Sequence, residues 1–246
     1  EVNHLSLKGK LNMKQLDKKL IGTTLGVASL LLTMTIIGTT PTHAADTFAK
    51  NEISGPKGYF KSDKAQFAFY WKYLKTNKGV QTVLIFGDFK QPQLQIGMPV
   101  LNTISKDRKT FTSQYKFVSN KGKLLNQKFY FPIVKLSDAT YQIHLAYHNG
   151  ARVPSATGKA YVFTKTSKSP ATTYANKYSK PSLTKQYTAQ LEKSAKKQYR
   201  QQRAKGKNVV NPAKSKTVQK KIKAKVNSAV KKNVKQLIKG FNYDVK

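Results

Sequence analysis

From Lys64 to Tyr73 the chain reads KAQFAFYWKY, and the alternation puts Phe67, Phe69, Trp71 and Tyr73 on one face of an extended strand. The same period of two returns further on. QTVLIFGDF is a short apolar run closed by Gly87 and Asp88, and KTFTSQYKFV alternates through Phe111, Ser113, Tyr115 and Phe117. NQKFYFPIV follows, with Pro132 marking a strand end or an edge. ATYQIHLAYHNG sets Tyr141, Ile143, Leu145 and Tyr147 against Gln142, His144, Ala146 and His148, and Asn149-Gly150 is a hairpin-turn signal. GKAYVFTKT supplies the last strand. Six to eight strands separated by turn signals predict a mainly β domain over residues 52–166, an antiparallel β-sandwich of the Ig-like kind.

Beyond this the period changes. The stretch Thr164 to Ser182 is rich in Ser, Thr, Lys and Pro, and reads as a linker over 167–181. From Ser182 onward apolar residues recur at helical spacing. Leu183, Tyr187, Leu191, Ala195 and Tyr199 form a thin stripe that ends at Gly206, and Asn211-Pro212 signals a second start. Wound at ~100° per residue, Val218, Ile222, Val226, Ala229, Val230, Val234, Leu237 and Phe241 fall in one arc, with Gly240 near the stop. Residues 182–246 are therefore expected to form a basic, amphipathic helical hairpin.

Charge sharpens this division. The chain carries 46 Lys and Arg against 10 Asp and Glu, a net charge of +36. Residues 177–246 alone carry 21 basic and 2 acidic groups, a net +19 that is over half of the net charge. The lysines of the second helix, Lys220, Lys221, Lys225, Lys231, Lys232, Lys235 and Lys239, lie opposite its apolar arc, and Lys196, Lys197, Arg200 and Arg203 extend the basic surface on the first. Solubility does not call for such an excess, so an anionic partner is expected.

The N-terminus suggests where that partner is met. Lys14, Lys18 and Lys19 precede a run from Leu20 to Ala45 that has no charged residue, and Thr42-His43-Ala44 offers small residues for a peptidase. Residues 13–44 read as a secretory signal cleaved between Ala44 and Ala45; the alternative is a retained membrane anchor. Residues 1–12 read as an accidental extension, because Lys8-Gly9 implies a purine-rich tract just ahead of Met13. The segment resembles the export signals of Gram-positive bacteria of the lactic-acid type. The stretch TYQIHLAYHNGARV, residues 140–153, resembles a strand and turn of the Ig-like repeats on Gram-positive cell-wall proteins. These likenesses imply a secreted protein at the cell surface.

Catalytic chemistry finds little support. There is no cysteine, which excludes disulfides, thiolate metal sites and Cys nucleophiles. There is no G-x-S-x-G, H-E-x-x-H or P-loop pattern. His144 and His148 would lie about 13 Å apart on one strand, too far to share a metal ion, so neither a metal nor a cofactor is expected. Asp63, Asp88, Asp107 and Asp138 are isolated in sequence, although a fold could bring two carboxylates together. Tyr70 and Trp71 are candidates for a stacking platform, with core packing as the competing reading.

The sequence thus points to a non-enzymatic secreted protein held on an anionic envelope polymer of the teichoic-acid type, or on an anionic membrane surface, by its basic tail. No cysteine for lipidation, no L-P-x-T-G motif and no C-terminal span offers another form of retention. Nucleic acid would bind in vitro by charge alone. The alternatives are a membrane-active cationic factor and a wall-modifying hydrolase.

Overall fold

The structure, a computed structural model, describes residues 47–243 apart from 77, 78, 120, 121 and 149. The expected mis-start, the signal of residues 13–44 and its cleavage point at Ala44 and Ala45 lie outside the described residues. Nine strands follow in order: β1 (Tyr59–Ser62), β2 (Phe67–Thr76), β3 (Gly79–Asp88), β4 (Gln93–Ile104), β5 (Thr110–Val118), β6 (Leu124–Lys135), β7 (Thr140–His148), β8 (Ala151–Ser155) and β9 (Lys159–Thr166). Then come α1 (Ala171–Tyr174), a π-helical turn (Ala175–Ser179), α2 (Lys180–Ala204) and α3 (Lys216–Phe241).

The strands close on themselves instead of forming the expected Ig-like sandwich. β1 to β7 run as an antiparallel meander, β9 pairs with both β7 and β1, and β6 pairs with β7. Eight strands make the ring; β8 is an extra hairpin arm on β7. A strand whose alternate residues face one core looks the same in either architecture, so only the closing pairs β1–β9 and β6–β7 distinguish barrel from sandwich. Register shifts at Pro99/Leu101 in β4 and Lys116/Val118 in β5 supply bends of the kind that curve a sheet.

An eight-stranded barrel has room for side chains and little else. Here Phe60, Phe67, Phe69, Trp71, Phe86, Phe111, Tyr115, Phe131, Tyr141 and Phe163 share one buried interior cluster. Most of their rings meet edge-on or tilted, as between Phe69 and Phe131 at 5.8 Å and Phe60 and Tyr141 at 4.9 Å, while Phe60 stacks on Phe69 and Trp71 on Phe131.

Both mouths are plugged. At one end Phe48 is fully buried against Phe111 and Tyr141; its carbonyl accepts from Arg108 Nε at 2.7 Å, and Lys135 Nζ donates to Thr47 O at 3.0 Å. At the other end β8 folds inward. Arg152, on β8, grips Asp88 at the end of β3 through Nε and Nη2, with Nε to Oδ2 at 2.7 Å. Burial works against the charge on Arg152, but the hydrogen bond and charge of Asp88 more than offset it and raise its pKa. The amides of Lys90 and Gln91 also donate to Asp88 Oδ1, each at 3.0 Å, so the same carboxylate shapes the β3–β4 turn.

A second core lies outside the barrel. Ala68, Tyr70, Val83, Ile85 and Phe89 cluster with Leu183, Ile222, Val226, Val230, Val234, Leu237 and Phe241, and Leu94, Ile96 and Met98 pack against them. β4 was not singled out as a strand from sequence because its pattern is inverted. Leu94, Ile96 and Met98 face outward under the helices, while Gln93 and Gln95 lie beside Phe67, Phe86 and Arg152. The expected linker is also corrected. Residues 171–179 are helical, and Ala171, Tyr174, Ala175 and Ser179 are buried because they seat the hairpin on the barrel.

Two variants test these joints. Replacing Arg152 with Met strands the buried Asp88 carboxylate and should lower unfolding free energy by ~3–5 kcal/mol, with Arg152→Lys losing less; urea midpoints report both. Phe241→Ala should cost ~3–5 kcal/mol and be accompanied by loss of protection at the Tyr70 hydroxyl contact.

Candidate functional site

The hairpin is built from the residues that its period singled out. In α3 Ile222, Val226, Val230, Val234, Leu237 and Phe241 are buried and Val218 and Ala229 half-buried; in α2 Leu183 is buried and Tyr187, Leu191, Ala195 and Tyr199 half-buried. Asn233 Nδ2 donates to Tyr187 Oη at 2.8 Å across the pair. α2 ends in a Schellman motif, in which Lys207 N donates to Gln202 O at 3.1 Å and Gly206 N to Arg203 O at 2.9 Å. Gly206 adopts φ +74°, which a side chain would resist. α3 starts four residues after the expected Asn211-Pro212 signal. Asn211 caps a turn instead, and Ser215 is the true N-cap, accepting from Val218 N at 3.3 Å.

The hairpin is held at its base. Tyr70 Oη donates to Phe241 O at 2.8 Å, Ser179 Oγ to Phe89 O at 2.9 Å, Ser182 Oγ to Lys90 O at 3.3 Å, and Tyr174 Oη to Asp63. Burial raises the pKa values of the Tyr70 and Tyr174 hydroxyls, in Tyr174 with the help of Asp63, so both stay neutral donors. Phe241 presses on β3 at Gly87, where a Cβ would come within 2.7 Å of its ring. The far ends of α2 and α3 lie about 37 Å along the helix from Lys180.

The eleven expected anion-binding residues, Lys196, Lys197, Arg200, Arg203, Lys220, Lys221, Lys225, Lys231, Lys232, Lys235 and Lys239, are all exposed. The structure adds Lys193, Lys205, Lys207, Lys214, Lys216 and Lys223, also exposed. Residues 193–225 thus carry 13 exposed cations and no acidic residue. The added lysines of the connecting loop fit no helical arc, which is why periodicity passed over them. An open groove along α2 is walled by Glu192, Lys193, Lys196, Lys197 and Arg200, all on one helix, so it is the space between long side chains and not an enclosed pocket.

The other candidates fare differently. Trp71 is 4% exposed inside the barrel and Tyr70 5% exposed beneath α3, so neither offers a stacking platform: the two faces of β2 are both buried, one by the lumen and one by the hairpin. Asp63, Asp88, Asp107 and Asp138 each have their own structural partners. Asp88 binds Arg152, Asp63 accepts from Tyr174, and Asp138 lies 3.3 Å from Lys135 Nζ. Asp107 accepts from the Ser105 hydroxyl and the Lys109 amide, which together lower its pKa. Among the described residues no three His, Asp or Glu side chains come together as metal ligands, and no helix is long and apolar enough to cross a membrane. No family model matches the chain, and no curated protein matches it either.

His144 and His148 lie on β7, where partial burial lowers both pKa values below the ordinary 6.5. Below about 6.5 the unfolded chain therefore binds more protons than the native one, and stability falls as pH drops toward the folded values. Urea titrations between neutral pH and the carboxylate range should show this decline, and a His144→Gln, His148→Gln double variant should flatten it.

Proposed function

We propose that this chain is a secreted, non-enzymatic surface protein whose α2–α3 hairpin binds an anionic polymer of the cell envelope. The observation that carries this reading is the stretch 193–225, with 13 exposed cations and no acidic residue. Like charges packed this densely repel one another, and a polyanion removes that repulsion while releasing its own counterions. The secretory pattern of residues 13–44 supports a meeting outside the cytoplasm, where phosphate-rich wall polymer and the outer membrane leaflet are the abundant anions. The barrel is then the body that the hairpin tethers.

Between polymer and membrane, the packing favours polymer. A membrane-active helix lays its apolar face into the bilayer. In α3 that face is occupied by α2 and the barrel, down to Phe241, which is fully buried. Insertion would require the hairpin to open and leave the outer face of β2–β4 bare. The separate structural duties of Asp63, Asp88, Asp107 and Asp138 likewise favour a binding role over that of a hydrolase.

Concentrated salt should release the protein from cells or wall preparations, since exposed charge pairs are screened over ~8 Å at physiological ionic strength. Changing Lys196, Lys197, Lys220, Lys221 and Lys225 to Gln should weaken wall binding by about 1 kcal/mol per lysine, the scale for a lysine near an anionic surface. The same change should leave the urea midpoint close to that of the parent. Retention in concentrated salt, or leakage of anionic vesicles at the concentrations that bind wall, would count against this assignment.

A further inference from the structure

The barrel wall has a seam. β6 runs from Leu124 to Lys135, and β5 pairs with it along most of that length. On its other edge only Ile133, Val134 and Lys135 are paired, with β7. The ladder stops at Pro132, which has no N–H to give. Above that point β7 exchanges partners: His144 to His148 pair with β8, and β8 turns inward to reach Asp88. β8 still lies against β6, and inside the barrel Tyr115 Oη of β5 donates to Pro154 O at 3.0 Å. Among the described residues, Leu124 to Phe131 have no ladder partner on this side.

This half-strand is unlike an ordinary protected edge. Residues 124–128 are exposed on both faces, and Leu124 is 45%, Leu125 40% and Tyr130 49% exposed. On β7 Tyr147 is 65% exposed, and His148 meets Phe129 edge-on at 4.7 Å, so the open stretch is Leu124 to Lys128. Unpaired backbone groups flanked by open apolar side chains form the template that an added strand needs. The surrounding charge is of one sign. No acidic residue occurs between Asp107 and Asp138, while Lys116 and Lys128 stand directly opposite each other on β5 and β6, with Lys123 at the turn. Like charges placed opposite each other oppose pairing unless a counter-charge arrives.

We propose that the open edge of β6, residues 124–128, binds an extended acidic peptide as an additional strand. The peptide's backbone completes the ladder that β7 abandons at Pro132. Its alternating carboxylates meet Lys128 on the outward face of β6, with Lys116 beside it on β5, and its apolar residues lie on the opposite face of the strand. A second copy of the chain is a poorer occupant, since it brings a further +36 and another lysine-bearing edge. This surface lies on the barrel and does not depend on the hairpin reading.

Amide hydrogen exchange on the full chain tests it, with two synthetic octapeptides of alternating Val and Asp as probes. One is unmodified; the other carries N-methyl groups at every second residue, so charge and side chains persist while ladder donors are lost. The unmodified peptide should slow exchange at residues 124–128 by roughly tenfold or more, and the N-methylated one should not. Equal protection by both peptides, protection confined to α2 and α3, or protection that grows with protein concentration without peptide would each overturn the proposal.

Discussion

The outer face of β2, β3 and β4 is apolar, and much of the molecule follows from covering it. Ala68, Tyr70, Val83, Ile85 and the β4 residues Leu94, Ile96 and Met98 would otherwise form a patch facing water. The C-terminal end of α3 closes over it, with Phe241 set against Gly87 and Phe89 and its carbonyl held by Tyr70. That seat fixes one end of the hairpin. The apolar arc of α3 must then face α2 and the barrel, so its lysines have no direction left but solvent. The cationic surface is thus a consequence of packing as much as of composition.

The barrel interior is a separate problem with a separate solution. Its lumen is filled by aromatic rings and stoppered by Phe48 below and by β8 above. Small barrels of this size can hold a ligand when side chains leave room, but here the space ringed by Phe67, Phe86, Asp88, Gln93, Gln95 and Arg152 is too small to admit a water molecule. The buried Arg152–Asp88 pair has an architectural consequence: drawing β8 inward to Asp88 takes it off the wall, and the seam along β6 is what remains.

Alternation and helical period made most strands and both long helices legible, because each reports only which side of an element meets a core. Phe111, Ser113, Tyr115 and Phe117 face inward as read, and Ile222 through Phe241 pack as read. The same signals failed where the second core reversed the sides. β4 went unrecognised because helices cover its apolar face. Tyr70 and Trp71 looked like alternatives, one outward and one inward, until both faces of β2 proved buried. The Ser- and Thr-rich segment before α2 looked like a linker, since nothing local shows that Ser179 would meet Phe89 O or that Tyr174 would meet Asp63.

By itself the sequence determined the division of the chain into an antiparallel β part and a lysine-laden helical part, because periodicity and charge density are local properties. Closure was decided only by the tertiary structure. β1 meets β9 across about a hundred residues, and no local pattern encodes such a partner; β6 and β7 form a local hairpin, but nothing in it says that they part after three residue pairs. Which lysines stand together at the far end of the hairpin, and which strand edge is left open, depend on those distant pairings: a side chain's neighbours are set by where the backbone returns, not by what precedes it in the chain.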